Sequence, residues 1–443
     1  MSEPVAARSL SARSPAFMIL FAVSLVAAAG NMGLQSVLPA IGREFGLADT
    51  LVAAAFAISA LMWTLASPFW ARLSDSLGRK RVIMIGLGGF TASMAGFGLA
   101  VTSGIEGWLG VGVAFVLMVL ARTVYGVFGS AAPIASQAYV ADRTGPADRT
   151  QAMSLLASAQ GLGTVAGPVL APFFVLPLIG LAGPMYAFAA LGAAVLFLVW
   201  RRLPSGEVVR IPSPSGKPDH AVGRGLWKDR RVRAFLIYGL LVTGTQAVNI
   251  SVLGFHIIDE MGRGGTSVSA AQPFIGLAMF AGALGTLMVQ WGLIPLLKLQ
   301  PHALMRWGAA IALIGNLLSI SAPGYFGAVV GYAVISMGIG FARPGFTAGS
   351  SLAVGDHEQG SVAGLMMSVA GLSFLGPPVI GVALYQLAMP APFLANAVLL
   401  AIAFLVCFTS PQLRRLTLAA TPAADGPSSV TPPASQPGPE GNR

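Results

Sequence analysis

Ala71-Arg72-Leu73-Ser74-Asp75-Ser76-Leu77-Gly78-Arg79-Lys80-Arg81 gathers one carboxylate, one glycine and four bases in a chain that is only 9% charged. About twenty apolar residues lie on each side, the length that crosses a bilayer. The stretch therefore reads as a tight loop pinned at a membrane face between two spanning helices. Gly78 permits a sharp connection that a bulkier residue would obstruct. Asp75 stands where it can cap the turn or pair with Arg79. Plain anchoring at a membrane face accounts for the bases, Lys80 among them, but needs no acid.

Composition points the same way. Of 443 residues 55% are hydrophobic, with a mean hydropathy of +0.76, more apolar surface than a soluble domain covers and what a bilayer accepts. The 55 Gly and 30 Pro suit membrane helices, where both are more frequent than in soluble ones. A net charge of +10 would suggest nucleic acid in a soluble protein; here it marks one side of a membrane, and no nucleic-acid partner is expected. The single Cys407 lies in the last apolar run, so no disulfide framework or metal cluster is available. Neither a metal nor a cofactor is expected. Arg8 and Arg13 before an apolar run, with Ala27–Gly30 after it, imitate a signal peptide. That run continues to about Leu38, too long for a signal core, and reads as a first, uncleaved span.

Apolar runs fall near 17–38, 51–70, 82–101, 111–140, 151–178 and 184–200, then near 234–258, 270–293, 307–321, 326–348, 362–386 and 391–409. The expected fold is all-α, with twelve transmembrane helices in two six-helix bundles at 17–200 and 234–410. A short arm, 1–16, precedes them. A basic linker, 201–233, joins them and suggests a short interfacial helix at Leu226–Arg233. The tail, 411–443, is too poor in apolar residues to fold. Every Lys and Arg except Arg43, Arg122, Arg263 and Arg343 falls on the arm, the 71–81, 141–150 and 294–306 loops, the linker or the tail. The positive-inside bias makes that face cytoplasmic, both termini included. Trp70, Trp108, Trp200, Trp227 and Trp307 stand near span ends, where amphipathic rings favour the headgroup level.

The halves echo one another. Gly163-x3-Gly167-Pro168 in the fifth span has a counterpart in Gly371-x4-Gly376-Pro377 of the eleventh, and Ala132-Pro133 in the fourth has one in Arg343-Pro344 of the tenth. Asp142 and Asp356 follow the latter pair in short loops. Repeated halves on a long linker are common among secondary transporters, which bind substrate near mid-membrane between them.

These motifs carry a resemblance. The 71–81 loop resembles the signature of the major facilitator superfamily through Asp75, Gly78, Arg79 and Arg81, with Ala71 in place of its first glycine and Ser76 in place of a common base. Arg122-x3-Gly126-x2-Gly129 resembles the family's fourth-helix motif, and Asp142 with Arg149 the acid and base around the next loop. Gly163, Gly167 and Pro168 resemble the fifth-helix motif of antiporters, although Ala171-Pro172 stands where two glycines are usual. Gln359-Gly360-x3-Gly364 before Gly376-Pro377 is similar to tetracycline-type drug exporters. The resemblance implies alternating access in the inner membrane of the cell by a monomer that couples efflux of a small molecule to protons. In it, Asp75, Gly78, Arg79, Arg81, Asp142 and Arg149 gate the two halves, and the fifth-helix motif biases the protein towards antiport. By spacing alone, Gly163 and Gly167 form a small-residue strip for close helix contact, and packing remains an equal reading.

Ionisable groups inside spans mark pathways, and only Arg122 and Arg343 lie there; all acids fall in loops, span ends or tails. Arg343 shares a helical face with Tyr332 and Ser336. Tyr125, Asn31 and Gln35 of the first half and Gln246 and Asn249 of the second complete a candidate substrate cavity. Either the arginines supply positive potential for a carboxylate-bearing solute, or Arg122 bonds backbone carbonyls and Arg343 snorkels to the surface. No membrane-embedded carboxylate is present to carry a proton. His256, Asp142 and Asp49 are the remaining candidates, and His256 reads also as an interfacial polar residue. An exporter of a drug or metabolite is the leading expectation, and a transporter of an anionic metabolite such as a carboxylate siderophore or organic acid the alternative. Scattered histidines without acid partners argue against an enzyme, and the absence of a Gly-x4-Gly-Lys-Ser/Thr loop argues against direct use of ATP.

Overall fold

The computed structural model describes residues 14–144, 146–175, 179–204, 229–297, 299–355 and 358–410. Twelve of its helices are long and apolar enough to cross a membrane: α1 (Pro15–Glu44), α2 (Asp49–Leu77), α3 (Arg79–Ile105), α4 (Val111–Arg143), α5 (Ala152–Phe174), α6 (Gly183–Arg202), α7 (Arg230–Gly262), α8 (Val268–Leu297), α9 (Pro301–Ser321), α10 (Gly324–Leu352), α11 (Ser368–Leu387) and α12 (Ala391–Thr409). The fold is all-α, two pseudo-symmetric bundles of six. The parts of the expected arm, linker and tail at 1–13, 205–228 and 411–443 lie outside the described residues, as do Trp227, Asp356 and the side chains of Arg149, Gln359 and Gly364.

Local chemistry sets the breaks. Pro133 has no N–H for the carbonyl of Gly129, so α4 is interrupted at Ser130. Gly376 likewise breaks α11 ahead of Pro377. The fifth span begins as an α-helix at Pro146 and tightens to a 3-10 turn over Ala171–Phe174. Gly78 alone joins α2 to α3, with φ +90°, and no other atom lies near where its Cβ would be. Backbone conformation, rather than crowding, demands glycine there.

The repeat is visible in the packing. In the first half, Gly86 of α3 lies against the backbone of Ala132, beside Pro133 of α4. In the second, Gly308 of α9 lies against that of Ala342, close before Pro344 of α10. A side chain at either glycine would push the paired helices apart.

The face carrying Arg79–Arg81 is called the basic face, and the other the opposite face. Towards the opposite face one continuous apolar core runs through both halves, from Val37 and Ile41 of α1 and Phe97 of α3 to Val252 and Phe255 of α7, Ile275 of α8 and Phe393 of α12. Towards the basic face there are two separate main cores. Leu20, Ile83, Tyr139 and Val199 belong to the first half, and Phe235, Tyr238, Phe346 and Leu400 to the second. The backbones also approach across the halves at the opposite face, where Gly254 of α7 meets Pro39 of α1 and Gly276 of α8 meets Pro168 of α5. The molecule is thus closed at the opposite face and parted at the basic one.

Trp70 corrects the expectation of an interfacial ring. It is buried and donates its indole N–H to the carbonyl of Val127 at 2.6 Å, tying α2 to α4. Trp108, Trp200 and Trp307 are exposed.

Candidate functional site

Three stations follow one another along the molecule. At the basic face, Arg79 opens α3 and reaches three groups: Asp75 at 2.6 Å, Ser74 Oγ at 3.0 Å and Asp142 Oδ2, at the end of α4, at 2.9 Å. Every partner belongs to the first half. Arg81 is exposed. In the second half Arg231 forks between Asp229 at 2.7 Å and Glu358 at 2.8 Å. The Arg231 guanidinium holds both carboxyls below their ordinary range. Each of these two charge clusters closes within its own half, and no ion pair joins the halves at this face among the described residues.

In the interior, Arg122 of α4 is 2% exposed. Its Nη2 donates to Asn31 Oδ1 of α1 at 3.1 Å, while Nε and Nη1 have no partner. The guanidinium lies over the rings of Phe56 at 4.4 Å and Tyr125 at 4.6 Å. Trp63 stacks beside Tyr125 with 5.5 Å between ring centres. Backbone carbonyls, the alternative expected for Arg122, are not its partners. Aromatic faces stabilise a cation but leave its in-plane donors open, so the site offers unused positive hydrogen-bonding capacity beside half-buried Asn31, Gln35, Phe56 and Trp63.

Arg343 is exposed on α10. Gly331, Gly338 and Gly345 place the opposite side of that helix against α9. At about 100° per residue, Arg343, Tyr332 and Ser336 share the face turned away from α9. Tyr332 and Ser336 both border Gly282 of α8.

The polar stripe expected on α7 is different. Gln246 is half-buried, but Asn249 and His256 are 2% and 5% exposed within the joined core. Both side-chain polar atoms of Asn249 and Nδ1 of His256 lack partners. His256 packs against Phe393 and Tyr385, with ring centres 5.1 and 6.2 Å away, so it is a core residue here and not an interfacial one. Gln272 of α8, fully buried and unpartnered, joins this set; sequence pattern alone gave no reason to select it.

Gly163 and Gly167 line α5 against α1. A Cβ at Gly163 would collide with the carbonyl of Leu25, and one at Gly167 with that of Ala29. Pro168 turns its own carbonyl to Gly276 in the other half. The strip therefore does pack helices, and its end reaches the contact between halves.

Of the third station, at the opposite face, the sequence marks only Asp49. Arg43, at the end of α1, grips Asp49 with two hydrogen bonds of 2.8 Å each. Its other edge reaches Asp259 of α7 at 3.2 Å, and the Tyr385 hydroxyl of α11 donates to the same carboxylate at 2.8 Å. This is the ion pair that links the two halves among the described residues. The residue type gave one clue, since Arg43 is a rare base on an otherwise base-poor face, but its partner lies 216 positions away.

Comparison with known proteins supplies the family. A family model described as Major Facilitator Superfamily matches residues 20–377. The chain is 28% identical to tetracycline resistance protein, class C, of Escherichia coli, over 90% of this chain and 96% of that one. It is 25% identical to multidrug resistance protein 2 of Bacillus subtilis (strain 168), over 87% and 93%. Among solved structures, a bacterial homolog of the human lysosomal transporter Spinster, in an inward-facing and unoccupied conformation, superposes with TM-score 0.68 at 15% identity, covering 94% of this chain and 99% of that one. The nucleoside transporter NupG gives 0.72 at 11% identity, with 89% and 99% covered. At those identities the two structures establish the fold alone.

Proposed function

This chain belongs to the Major Facilitator Superfamily, and from that premise we propose that it exports a small organic molecule from the cell by alternating access, in exchange for protons. It is a multi-pass membrane transporter and not an enzyme. The observation that carries the reading is the division of the core, joined at the opposite face and split at the basic face. A cleft open at one face and sealed at the other is one end state of a rocking cycle. On the positive-inside bias the basic face is cytoplasmic, the protein sits in the inner membrane with both termini inside, and this state is open to the cytoplasm. Tetracycline and multidrug resistance proteins among the relatives support export as the direction. Asp75, Gly78, Arg79, Arg81 and Asp142 then form the cytoplasmic gate in its released state, Arg149 being a further member by resemblance alone, and Arg43 with Asp49, Asp259 and Tyr385 form the engaged external one. His256, Asp142 and Asp49 remain the proposed proton sites. The transporter works as a monomer.

A second reading has its own support. Arg122, buried with two unpartnered nitrogens and in no ion pair among the described residues, suits an anionic or carboxylate-bearing solute better than a cationic drug. Inverted vesicles loaded with a pH-sensitive dye and challenged with cationic drugs and organic acids test both readings. Proton release from the lumen on adding a substrate supports antiport. Uptake without proton movement rejects the coupling, and response to cationic compounds alone rejects the anionic reading.

A further inference from the structure

The side of the first half away from the cleft carries a groove that transport does not use. Met84 and Ile85 of α3 and Ala193, Leu196, Phe197 and Trp200 of α6 line it, an open trough of about 470 Å³. Those walls are apolar and open outward, so bilayer acyl chains are the medium that meets them. Its rim at the basic face is different. Lys80 donates to the carbonyl of Trp200 at 2.8 Å, one of the acceptors that the end of α6 leaves free. That bond uses one of its three ammonium hydrogens. Arg201 lies over Phe197 and Trp200, 5.7 and 5.6 Å from the ring centres, and Arg202 is exposed beside it. No acid pairs with Lys80, Arg201 or Arg202 among the described residues. Trp200 and Phe197, 55% and 56% exposed, sit at the end of a span, at headgroup depth.

An apolar slot capped by three unneutralised cations is complementary to one class of molecule, an amphiphile with a negative head. The other half repeats one part of this, a base over a ring: Arg306, near the start of α9, lies 4.4 Å over the ring of Phe408 at the end of α12.

We propose that the α3–α6 groove is a binding site for an anionic phospholipid, its acyl chain along Ile85 and Phe197 and its phosphate among Lys80, Arg201 and Arg202. Clustered bases between membrane helices attract such headgroups. Because Lys80 follows Arg79 in the chain, the lipid holds the loop on which the Asp75–Arg79–Asp142 cluster is built.

Purified full-length protein in detergent is titrated with phosphatidylglycerol, phosphatidylcholine and glycerol 3-phosphate. Bound molecules are counted by native mass spectrometry, with the melting temperature followed in parallel. Phosphatidylglycerol should bind saturably and raise the melting temperature, and the other two should not. Each charge removed in the series Lys80→Gln, Arg201→Gln, Arg202→Gln should weaken binding about fivefold, and Arg201→Lys should retain it. Should the triple variant fail to fold, Arg201→Glu alone supplies the same comparison. Equal binding of phosphatidylcholine, equal binding of glycerol 3-phosphate, or undiminished binding by these variants overturns the proposal.

Discussion

A guanidinium taken out of water without a counter-ion costs the native state on the order of several kcal/mol, and Arg122 recovers only part of that from Asn31 and two aromatic faces. A residue that weakens the fold and persists in a transporter's interior is the expected signature of a substrate contact. Arg122→Gln should therefore leave the melting temperature unchanged or higher while reducing transport at least about tenfold, because stability and function pull apart at such sites. A lower melting temperature with transport intact would show that Arg122 only holds α1 to α4. The sequence made Arg122 legible because a lone base in a long apolar run has no bland surroundings. It could not reveal Asn31 as the partner, nor that Asn249 and His256 are enclosed, because burial depends on how the halves meet. Arg43 was overlooked for a related reason. At the end of a span it looks like an ordinary interfacial base, and its meaning comes from Asp259 and Tyr385 in the other half.

Along single helices the reading went further, since hydropathy fixes span centres and prolines mark the breaks at Ser130 and Gly376. Close helix contact was also foreshadowed, and α5 offers an internal control for it. Gly167→Ala collides with the carbonyl of Ala29, whereas Gly161→Ala on the same helix meets open space. The first should cost about 1–3 kcal/mol by overpacking and the second close to nothing, measured as thermal unfolding in detergent. Equal effects would remove the α1–α5 strip as a packing device. The tie between Arg231 at the start of α7 and Glu358 ahead of α11 makes a pH prediction. Arg231 lowers the Glu358 carboxyl, so the stabilisation is present above the ordinary carboxylate range and lost as pH falls through the lowered value. The difference in melting temperature between the parent and Glu358→Gln should be small, since the pair is exposed, present at neutral pH, and shrink on acidification below the ordinary carboxylate range. A difference that stays constant on acidification would mean that the tie contributes through packing and not charge.

For the molecule as a whole, the asymmetry of the core defines which state is populated. Burial favours the joined face without any ion pair, and the Arg43–Asp259 link adds to it. Exposed pairs are worth about 0–1 kcal/mol. Arg43 and Asp259 keep 31% and 28% of their side-chain surface exposed, and Asp259 is further held by Tyr385, which places this link near the top of that range. A loss of about 1 kcal/mol moves a two-state equilibrium about fivefold, enough to see by a distance measurement but not enough to empty the state. Asp259→Asn keeps the shape and removes the charge. The single native cysteine, Cys407, is buried, so spin labels can be introduced without first removing it. Cysteines at exposed Leu77 of α2 and Leu352 of α10 report the basic face, and a pair at exposed Glu44 and Gly264 the opposite one. In the parent, pulsed electron resonance should give a long distance for the first pair and a short one for the second. In Asp259→Asn, each pair should gain a second population of the reverse kind, about fivefold larger than any trace in the parent. Arg43→Gln, which removes the other partner of the pair, should do the same. Distances unchanged in both variants would show that apolar contact alone seals that face, and that Arg43 and Asp259 take no part in choosing between the two states.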